Sequence, residues 1–595
     1  VTEALLILTP LLPLGIAAAV AARIVWSESP PGASAGPQGG WAAPLGALPA
    51  LLLALHPGPV PDLHLSWMLL GTYLGLDHVG RVFLVLTAVL WMLAGLFARA
   101  YMSGDSRRAR YDTFFLLTMS GNFTVVIAQD LATFYAGFAT VTFAAYGLVV
   151  HAGSEAARRA GRVYIVLALA GEAALLSGLF LVAVAAGGGL GLDGVPAAVA
   201  HAPFRDTVVA LLLVGFGVKA GVLLLHVWLP LAHPVAPTPA SAVLSGAIIK
   251  AGVLGWLRFL PLGEAALPTA GTAVIAAGLL AAFAAAAVGI TQRDAKTALA
   301  YSSVSQMGLL TVAVGVGLAH PDAWPLASGA LLVSALHHAM AKGALFLATG
   351  IGAPSEPAPW VRHSFAIGVG IPMAALAGAP WTSGALAKAM LKEAADLAPG
   401  RWPQVLDLGL PLAAVGTTVL MARFAVLVWR AGDHSRGAAR STGLWVPWLA
   451  SVLASGGLVV AASGPLGLTA DARQVTFADT LWPIGVGVAV SALLALAEAR
   501  SRALPVVPAG DVLVWYAAAL DWSSRSAPRA LAEVRCLITA AMRGPWERVV
   551  EFGRVRMYWL RAMTTPASLA AAGTAWLLAT VVILAALWFG ASRVW

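Results

Sequence analysis

Apolar residues run through this chain in long blocks, with polar residues confined mostly to the gaps between them. A helix needs about 20 mostly apolar residues to cross a bilayer. Blocks of that kind lie near 4–25, 41–56, 81–101, 112–129, 131–151, 163–186, 207–229, 239–261, 270–291, 297–317, 325–351, 364–397, 405–430, 443–463, 475–497 and 567–591. The pattern predicts an all-α polytopic membrane protein of about 14–16 transmembrane helices. The block at 41–56 is short for a span. The block at 364–397 is too long for one straight helix and contains Pro372 and Pro380, so it is expected to be broken. Irregular backbone at membrane depth is tolerated only where it lines a cavity or is buried in protein. That makes 364–397 a candidate functional segment. The first block, from Ala4 to Val20, has no basic stretch ahead of it and reads as a retained helix, not a cleaved signal.

Composition agrees with this class. Hydrophobic residues make up 59% and charged residues 11% of the chain, with a mean hydropathy of +0.84. A soluble domain carries about 25% charged residues. The net charge of +9 does not point to nucleic acid, because no basic cluster is interleaved with polar surface. One cysteine, Cys536, excludes an internal disulfide and any cysteine-rich metal or iron–sulfur site. No nucleotide fingerprint or cofactor motif is present, so no cofactor and no catalytic site of its own are expected.

The basic residues divide by side. Gaps after odd-numbered blocks hold Arg23, Arg107, Arg108, Arg110, Arg158, Arg159, Arg162, Arg293, Arg362, Arg436 and Arg440. Gaps after even-numbered blocks hold few, such as Arg205 and Arg401, together with Asp62, Asp77, Asp193 and Asp206. The positive-inside rule then places the odd gaps in the cytoplasm and the N-terminus outside.

Lysine is used differently. There are six lysines, Lys219, Lys250, Lys296, Lys342, Lys388 and Lys392, and most lie inside or beside apolar blocks. A buried lysine can release its proton near physiological pH, whereas arginine stays charged. Ionisable groups inside a membrane mark ion or proton pathways. Lys219 lies about twelve residues into its block, roughly 18 Å at 1.5 Å per residue, near the middle of a hydrocarbon core about 30 Å thick. Gly215, Gly217 and Gly221 around it would let the helix open. Lys250 is similarly central. The bland alternative for both is a structural lysine bonded to a carbonyl. His338 and Lys342 are four apart and share one helical face, so a proton can pass between them through water. His337 reads as a packed or hydrogen-bonded histidine. No carboxylate or cysteine near the two histidines completes a metal site. Lys392, four after Lys388, is expected to pair with Asp396 at the interface.

Four segments carry a resemblance. HVWLPLAHPVAPTPASAVLSGAIIK (His226 to Lys250), AKTALAYSSVSQMG (Ala295 to Gly308), HHAMAKGALFLATG (His337 to Gly350) and GAPWTSGALAK (Gly378 to Lys388) follow in order. They resemble the antiporter-like subunits of respiratory complex I, membrane-bound hydrogenases and formate hydrogenlyases, and Mrp cation/proton antiporters. The likeness covers residues 70–430. It implies two inverted five-helix repeats, each with a broken helix, and a chain of buried ionisable groups along the membrane centre. The implied organisation is 1–110, three N-terminal helices; 111–262 and 263–432, the two repeats; 433–509, two further helices; 510–566, an amphipathic lateral segment; and 567–595, a terminal anchor helix. The implied proton path runs over Lys219, Glu172, Lys250, His338, Lys342, Lys388, His226 and Lys392, with Lys388 in the family's lysine position.

One departure stands out. The family carries a glutamate on its fifth helix that pairs with the lysine of the seventh. In FYAGFATVTFAAYG (Phe134 to Gly147) that position is Ala139. Glu172, in LAGEAALLSG, is the one carboxylate well inside the apolar blocks of the first repeat, and it is either the replacement partner of Lys219 or an ordinary second acid left alone.

Three functions compete at this stage. The first is a proton-conducting (or Na⁺/H⁺) subunit of a larger membrane complex, driven by a peripheral redox arm in partner subunits. The second is a subunit of a redox-independent transporter, either an Mrp-type antiporter or an inorganic-carbon uptake system. The third is a quinone- or haem-binding redox subunit. The first is preferred, in a bacterial or archaeal plasma membrane, with other membrane subunits, protons and the lipid bilayer as partners.

Overall fold

The computed structural model describes residues 1–26, 40–189, 191–352, 359–431, 441–463, 477–500 and 507–513. The expected amphipathic segment over 510–566 lies almost wholly outside these residues, and the expected anchor at 567–595 lies outside them entirely. The site falls in the first of two compact units, formed by residues 1–17 and 34–509.

The apolar blocks become helices. In chain order these are α1 (Thr2–Trp26), α2 (Ala42–Ala54), α3 (His78–Tyr101), α4 (Arg108–Ile127), α5 (Leu131–Val149) and α6 (Glu155–Ala185). Next come α7 (Val195–His201), α8 (Arg205–Ala220), α9 (Trp228–Val235), α10 (Thr238–Val243), α11 (Ile249–Phe259), α12 (Pro268–Ile290) and α13 (Ala295–Ala319). The last are α14 (Trp324–Ile351), α15 (Pro359–Ala377), α16 (Ser383–Ala395), α17 (Trp402–Ala431), α18 (Thr442–Ser463) and α19 (Phe477–Ala499). Among the described residues, 10 helical stretches are each long and apolar enough to cross a membrane unaided.

Helix starts are set locally. Asp77, Asp130, Ser154, Asp294 and Thr382 cap α3, α5, α6, α13 and α16 by accepting a backbone N–H from the first turn, which satisfies donors that a helix otherwise leaves open. The periodicity did not reveal a small hairpin, β1 (Leu63–Leu65) and β2 (Thr72–Leu74), paired antiparallel with His64 opposite Tyr73. Three-residue strands are too short to show alternation. Asp130 ties the hairpin down by accepting the Tyr73 N–H at 2.8 Å.

Three spans form the buried centre: α13, α14 and the combined α10–α11 span. α13 is buried along nearly its whole length. α6 and α12 have large exposed apolar faces, as expected where a helix meets lipid. α4 packs chiefly on α5 and α6 on α8; in the second half α12 packs chiefly on α13 and α14 on α16.

Two spans are broken, and both breaks use left-handed backbone. α8 stops at Gly221 (φ +70), and Leu224 (φ 71) sits in the connection to α9. The expected break in 364–397 falls at Gly378 (φ +86) and Trp381 (φ 60), between α15 and α16. Pro380 lies in it, but Pro372 is accommodated inside α15, so only one of the two prolines marks the break. A third irregularity had no sequence signal. Residues Leu244–Ile248, between α10 and α11, form a π-helical turn, a feature that frequently accompanies functional sites.

Candidate functional site

The breaks place lysines beside freed carbonyls. Lys219 is the next-to-last residue of α8, directly before the first break, and is buried. The Trp228 indole donates to Val218 O at 2.8 Å and so satisfies one of the exposed carbonyls there. The Lys219 ammonium donates to Thr142 Oγ1 on α5 at 2.5 Å. Thr142 donates in turn to Glu172 Oε1 on α6 at 2.7 Å. A hydroxyl accepts one hydrogen bond and donates another, so Thr142 joins the cation to the carboxylate. Phe138 and Tyr164 add ring faces 5.2 and 5.9 Å from the lysine nitrogen, within cation–π range. The group encloses a cavity of ≈ 10 Å³, about the size that admits one water.

Of the two readings of Glu172, the geometry favours the partner. The acid does reach Lys219, from α6 and through a threonine, while Ala139 supplies nothing. Thr142 was missed in the sequence because it is an uncharged residue in an apolar helix. Such a residue becomes visible only when the fold brings together positions 77 and 30 residues away.

The second group forms around α11, α13 and α14. Close backbone approaches hold it. A Cβ on Gly252 would lie 2.5 Å from Phe216 O and 2.7 Å from Ala220 N, which pins α11 against the end of α8 beside Lys219. A Cβ on Gly246 would lie 3.0 Å from Ala339 O, which seats the π turn against α14 beside His338. Lys250 donates to Ser245 O, within the π turn, at 2.8 Å and also meets His338 Nδ1 in a short contact. Ser245 and Ser303 hydroxyls are 2.8 Å apart. Ser303 donates to Leu299 O at 3.0 Å, and Lys342 donates to that same carbonyl at 2.9 Å. The two lysines are thus joined through two serines and two carbonyl oxygens, those of Ser245 and Leu299.

The third group lies at the second break. Lys388 donates to Leu376 O at 3.1 Å and to Ala377 O at 2.5 Å, closing the C-terminal end of α15. Cations are favoured at such an end, where carbonyls lack partners. Lys388 is partly buried, whereas Lys250 and Lys342 are fully enclosed. His337 Nδ1 approaches Ser383 Oγ, on the first turn of α16, at 2.7 Å.

The other expected residues divide. His226 is buried in the connection between α8 and α9, its ring 6.2 Å from that of Tyr301. Lys392 does not join the buried series. It pairs with Asp407 at 2.9 Å, with both side chains well exposed. The expected Asp396 pairing is therefore corrected: α17 brings a carboxylate from across the turn into closer reach. Lys296, not among the expected path residues, is partly buried and donates to Ala236 O at 2.9 Å. Several buried polar atoms have no hydrogen-bond partner among the described residues: Glu172 Oε2, both ring nitrogens of His233, His337 Nε2 and His338 Nε2. Such atoms are normally satisfied by protein or ordered water. No group of three or more His, Cys, Asp or Glu side chains that could hold a metal occurs among the described residues.

Outside the spans, the Asp77 carboxylate receives both guanidinium nitrogens of Arg258 at 2.6 and 2.7 Å, joining the start of α3 to the end of α11. Burial pushes this carboxyl up, but the charge and hydrogen bonds of Arg258 outweigh it and hold the group below the usual carboxylate range.

Broken helices and buried lysines of this kind are what the resemblance to the antiporter-like membrane subunits implies. Residues 128–395 match the family described as NADH:quinone oxidoreductase/Mrp antiporter, transmembrane. A Rhizobium meliloti protein named as a probable component of a K(+)/H(+) antiporter is 33% identical over 346 residues, 56% of this chain and 33% of that protein. Hydrogenase-4 component B of Escherichia coli is 29% identical over 318 residues, 50% of this chain and 47% of that one. The chain therefore spans a third to a half of the length of these relatives. Among solved structures, the Mrp complex from Dietzia sp. shares the fold, with a TM-score of 0.69, 22% identity and coverage of 92% of this chain and 63% of that chain.

Proposed function

We propose that this chain is a proton-conducting membrane subunit of a larger complex, with Na⁺ as a second candidate ion. The observation that carries the reading is the series of buried basic groups: Lys219 held to Glu172 by Thr142, Lys250 against His338, Lys342 joined to Lys250 through Ser245 and Ser303, and Lys388 at the second break. Each lysine has a hydrogen-bond partner but no carboxylate in direct hydrogen bonding, so an added or removed proton is not locked by a fixed ion pair. The unpartnered buried nitrogens along the series are where water would complete a proton wire. Half-helix C-terminal ends and unwound carbonyls are the groups transporters use to bind coupling cations.

The two repeats of this reading are 111–262 and 263–432, preceded by three helices. The corresponding contacts of α6 with α8 and of α14 with α16 support that division. The arginine-rich gaps support a cytoplasmic location for residues 107–110 and an extracytoplasmic N-terminus. Likeness to a hydrogenase component supports a redox arm in partner subunits. Likeness to a protein named as part of an antiporter supports a second reading, cation exchange without redox chemistry. Purification of the native complex from membranes tests the two. Co-purifying redox subunits carry the first, and their absence from an otherwise active complex carries the second. Proton uptake into vesicles holding that complex tests conduction itself. Full uptake with Lys219→Ala, Lys342→Ala and Lys388→Ala together would overturn it.

A further inference from the structure

Two histidines stand side by side on α14, and the reading above uses only one. Adjacent helical residues point about 100° apart. His338 accordingly faces Lys250 on α11, while His337 faces Ser383 on α16. Both rings are buried.

We assign the His337 proton from the hydrogen bonds around Ser383. Ser383 has one hydroxyl proton, and it goes to Ser455 O on α18 at 3.1 Å. In that arrangement Ser383 accepts from His337 at 2.7 Å, which assigns the proton to Nδ1. Nε2 then holds the lone pair, buried and without a partner among the described residues. His338 is arranged the opposite way. With Lys250 donating to its Nδ1, the His338 proton is on Nε2, which is also buried and unpartnered among the described residues. A donor Nε2–H and an acceptor Nε2 thus occupy consecutive positions on the helix. The charged groups that bear on His337 are Lys388 and Lys250.

Resting on the proton-conducting reading, we propose that His337 is a proton-carrying residue that links the Lys250–His338 pair to Lys388 at the second break. A proton leaving Lys250 binds His338 Nδ1, and the His338 Nε2 proton passes through water to His337 Nε2. His337 becomes imidazolium. It then releases the Nε2 proton through water to the neutral amine of Lys388, which becomes ammonium, and the ring returns to its starting tautomer. Ser383 holds the Nδ1–H and keeps Nε2 as the working atom, so it is a positioning residue.

The test compares two variants of the whole complex in membrane vesicles, with proton flux normalised to assembled protein. His337→Asn keeps an N–H donor where Nδ1 stands but cannot carry a proton. Ser383→Ala keeps the imidazole but removes its hydrogen bond. A carrier role predicts a loss on the order of 10²-fold for His337→Asn and a smaller loss, with an altered pH profile of flux, for Ser383→Ala. A purely structural tie between α14 and α16 predicts the reverse order, and either that order or full flux in His337→Asn overturns the proposal. Should His337→Asn fail to assemble, a Ser383→Ala loss as deep as that of Lys388→Ala would overturn it by itself. Loss in Lys388→Ala with full flux in His337→Asn removes this inference alone. Full flux in Lys219→Ala, Lys342→Ala and Lys388→Ala removes the functional reading beneath it.

Discussion

The two halves of the bundle hold their lysines by different means. In the first half, Lys219 is linked to Glu172 through the Thr142 hydroxyl and flanked by two aromatic faces. In the second, Lys342 and Lys388 donate to backbone carbonyls, and Lys250, on α11 where the halves meet, has a carbonyl and a histidine. A buried ammonium needs compensation, because losing water costs several kcal/mol per ion. A carboxylate compensates strongly but favours keeping the proton. Carbonyl dipoles and a neutral imidazole compensate less and leave the proton easier to move. In the proposed function the first half acts as a holding site and the second as a conducting series, with α11 and its Lys250 between them at the Gly252 crossing.

Removal of the last lysine should produce the largest effect. Lys388→Ala is expected to lower proton flux by about 10²-fold or more, measured as acidification of vesicles. Lys388→Arg should fail almost as badly, since arginine stays charged. Full activity in the arginine variant would make Lys388 an electrostatic cap on α15 and remove the distinction between the halves.

The hydroxyl bridge comes next. Thr142→Val removes the hydroxyl link between Lys219 and Glu172, and a loss of about tenfold is expected, since one hydrogen bond to a charged group contributes roughly 1.5 kcal/mol at the low end of its range. Thr142→Ser restores the hydroxyl and should restore flux. Equal failure of both variants would mean that the threonine methyl, and not the bridge, matters.

Much of this contrast was legible before the fold was known. The lysines and the broken block at 364–397 are properties of residue type and position, and the missing helix-five glutamate at Ala139 follows from the family resemblance. What could not be read is what arises when distant segments meet. Thr142 looks like any small helical residue until α6 and α8 arrive on either side. The π turn at 244–248 has no distinctive residue pattern, yet it contains the carbonyl that receives Lys250. Lys392 pairs with Asp407 because α16 and α17 fold back on each other; helical spacing alone pointed to Asp396. The ring directions of His337 and His338 likewise depend on which helices lie against α14.

Smaller effects probe the scaffold that keeps the halves in register. Gly252→Ala places a methyl against Phe216 O and Ala220. It should lower stability by about 1–3 kcal/mol, read as thermal unfolding of the purified complex, and should disturb flux through both halves. The Asp77–Arg258 pair should contribute less. Loss of the α3 cap in Asp77→Ala is expected to cost about 0.5–2 kcal/mol. Because Arg258 holds this carboxyl low, the contribution is present above the ordinary carboxyl range of about 3.9 and disappears as pH falls through the lower folded value. A melting series over acidic pH should show that loss in the parent and not in Asp77→Ala.

The most direct test of the contrast is a double-mutant cycle on Glu172 and Lys219, with proton flux measured in vesicles containing the whole complex. The account predicts that Glu172→Gln and Lys219→Ala each impair flux and that the double variant is little worse than either, because groups acting as one unit are not additive. The contradicting result is full flux in all three variants while Lys388→Ala abolishes it. The first half would then be a structural remnant, and the second alone would conduct.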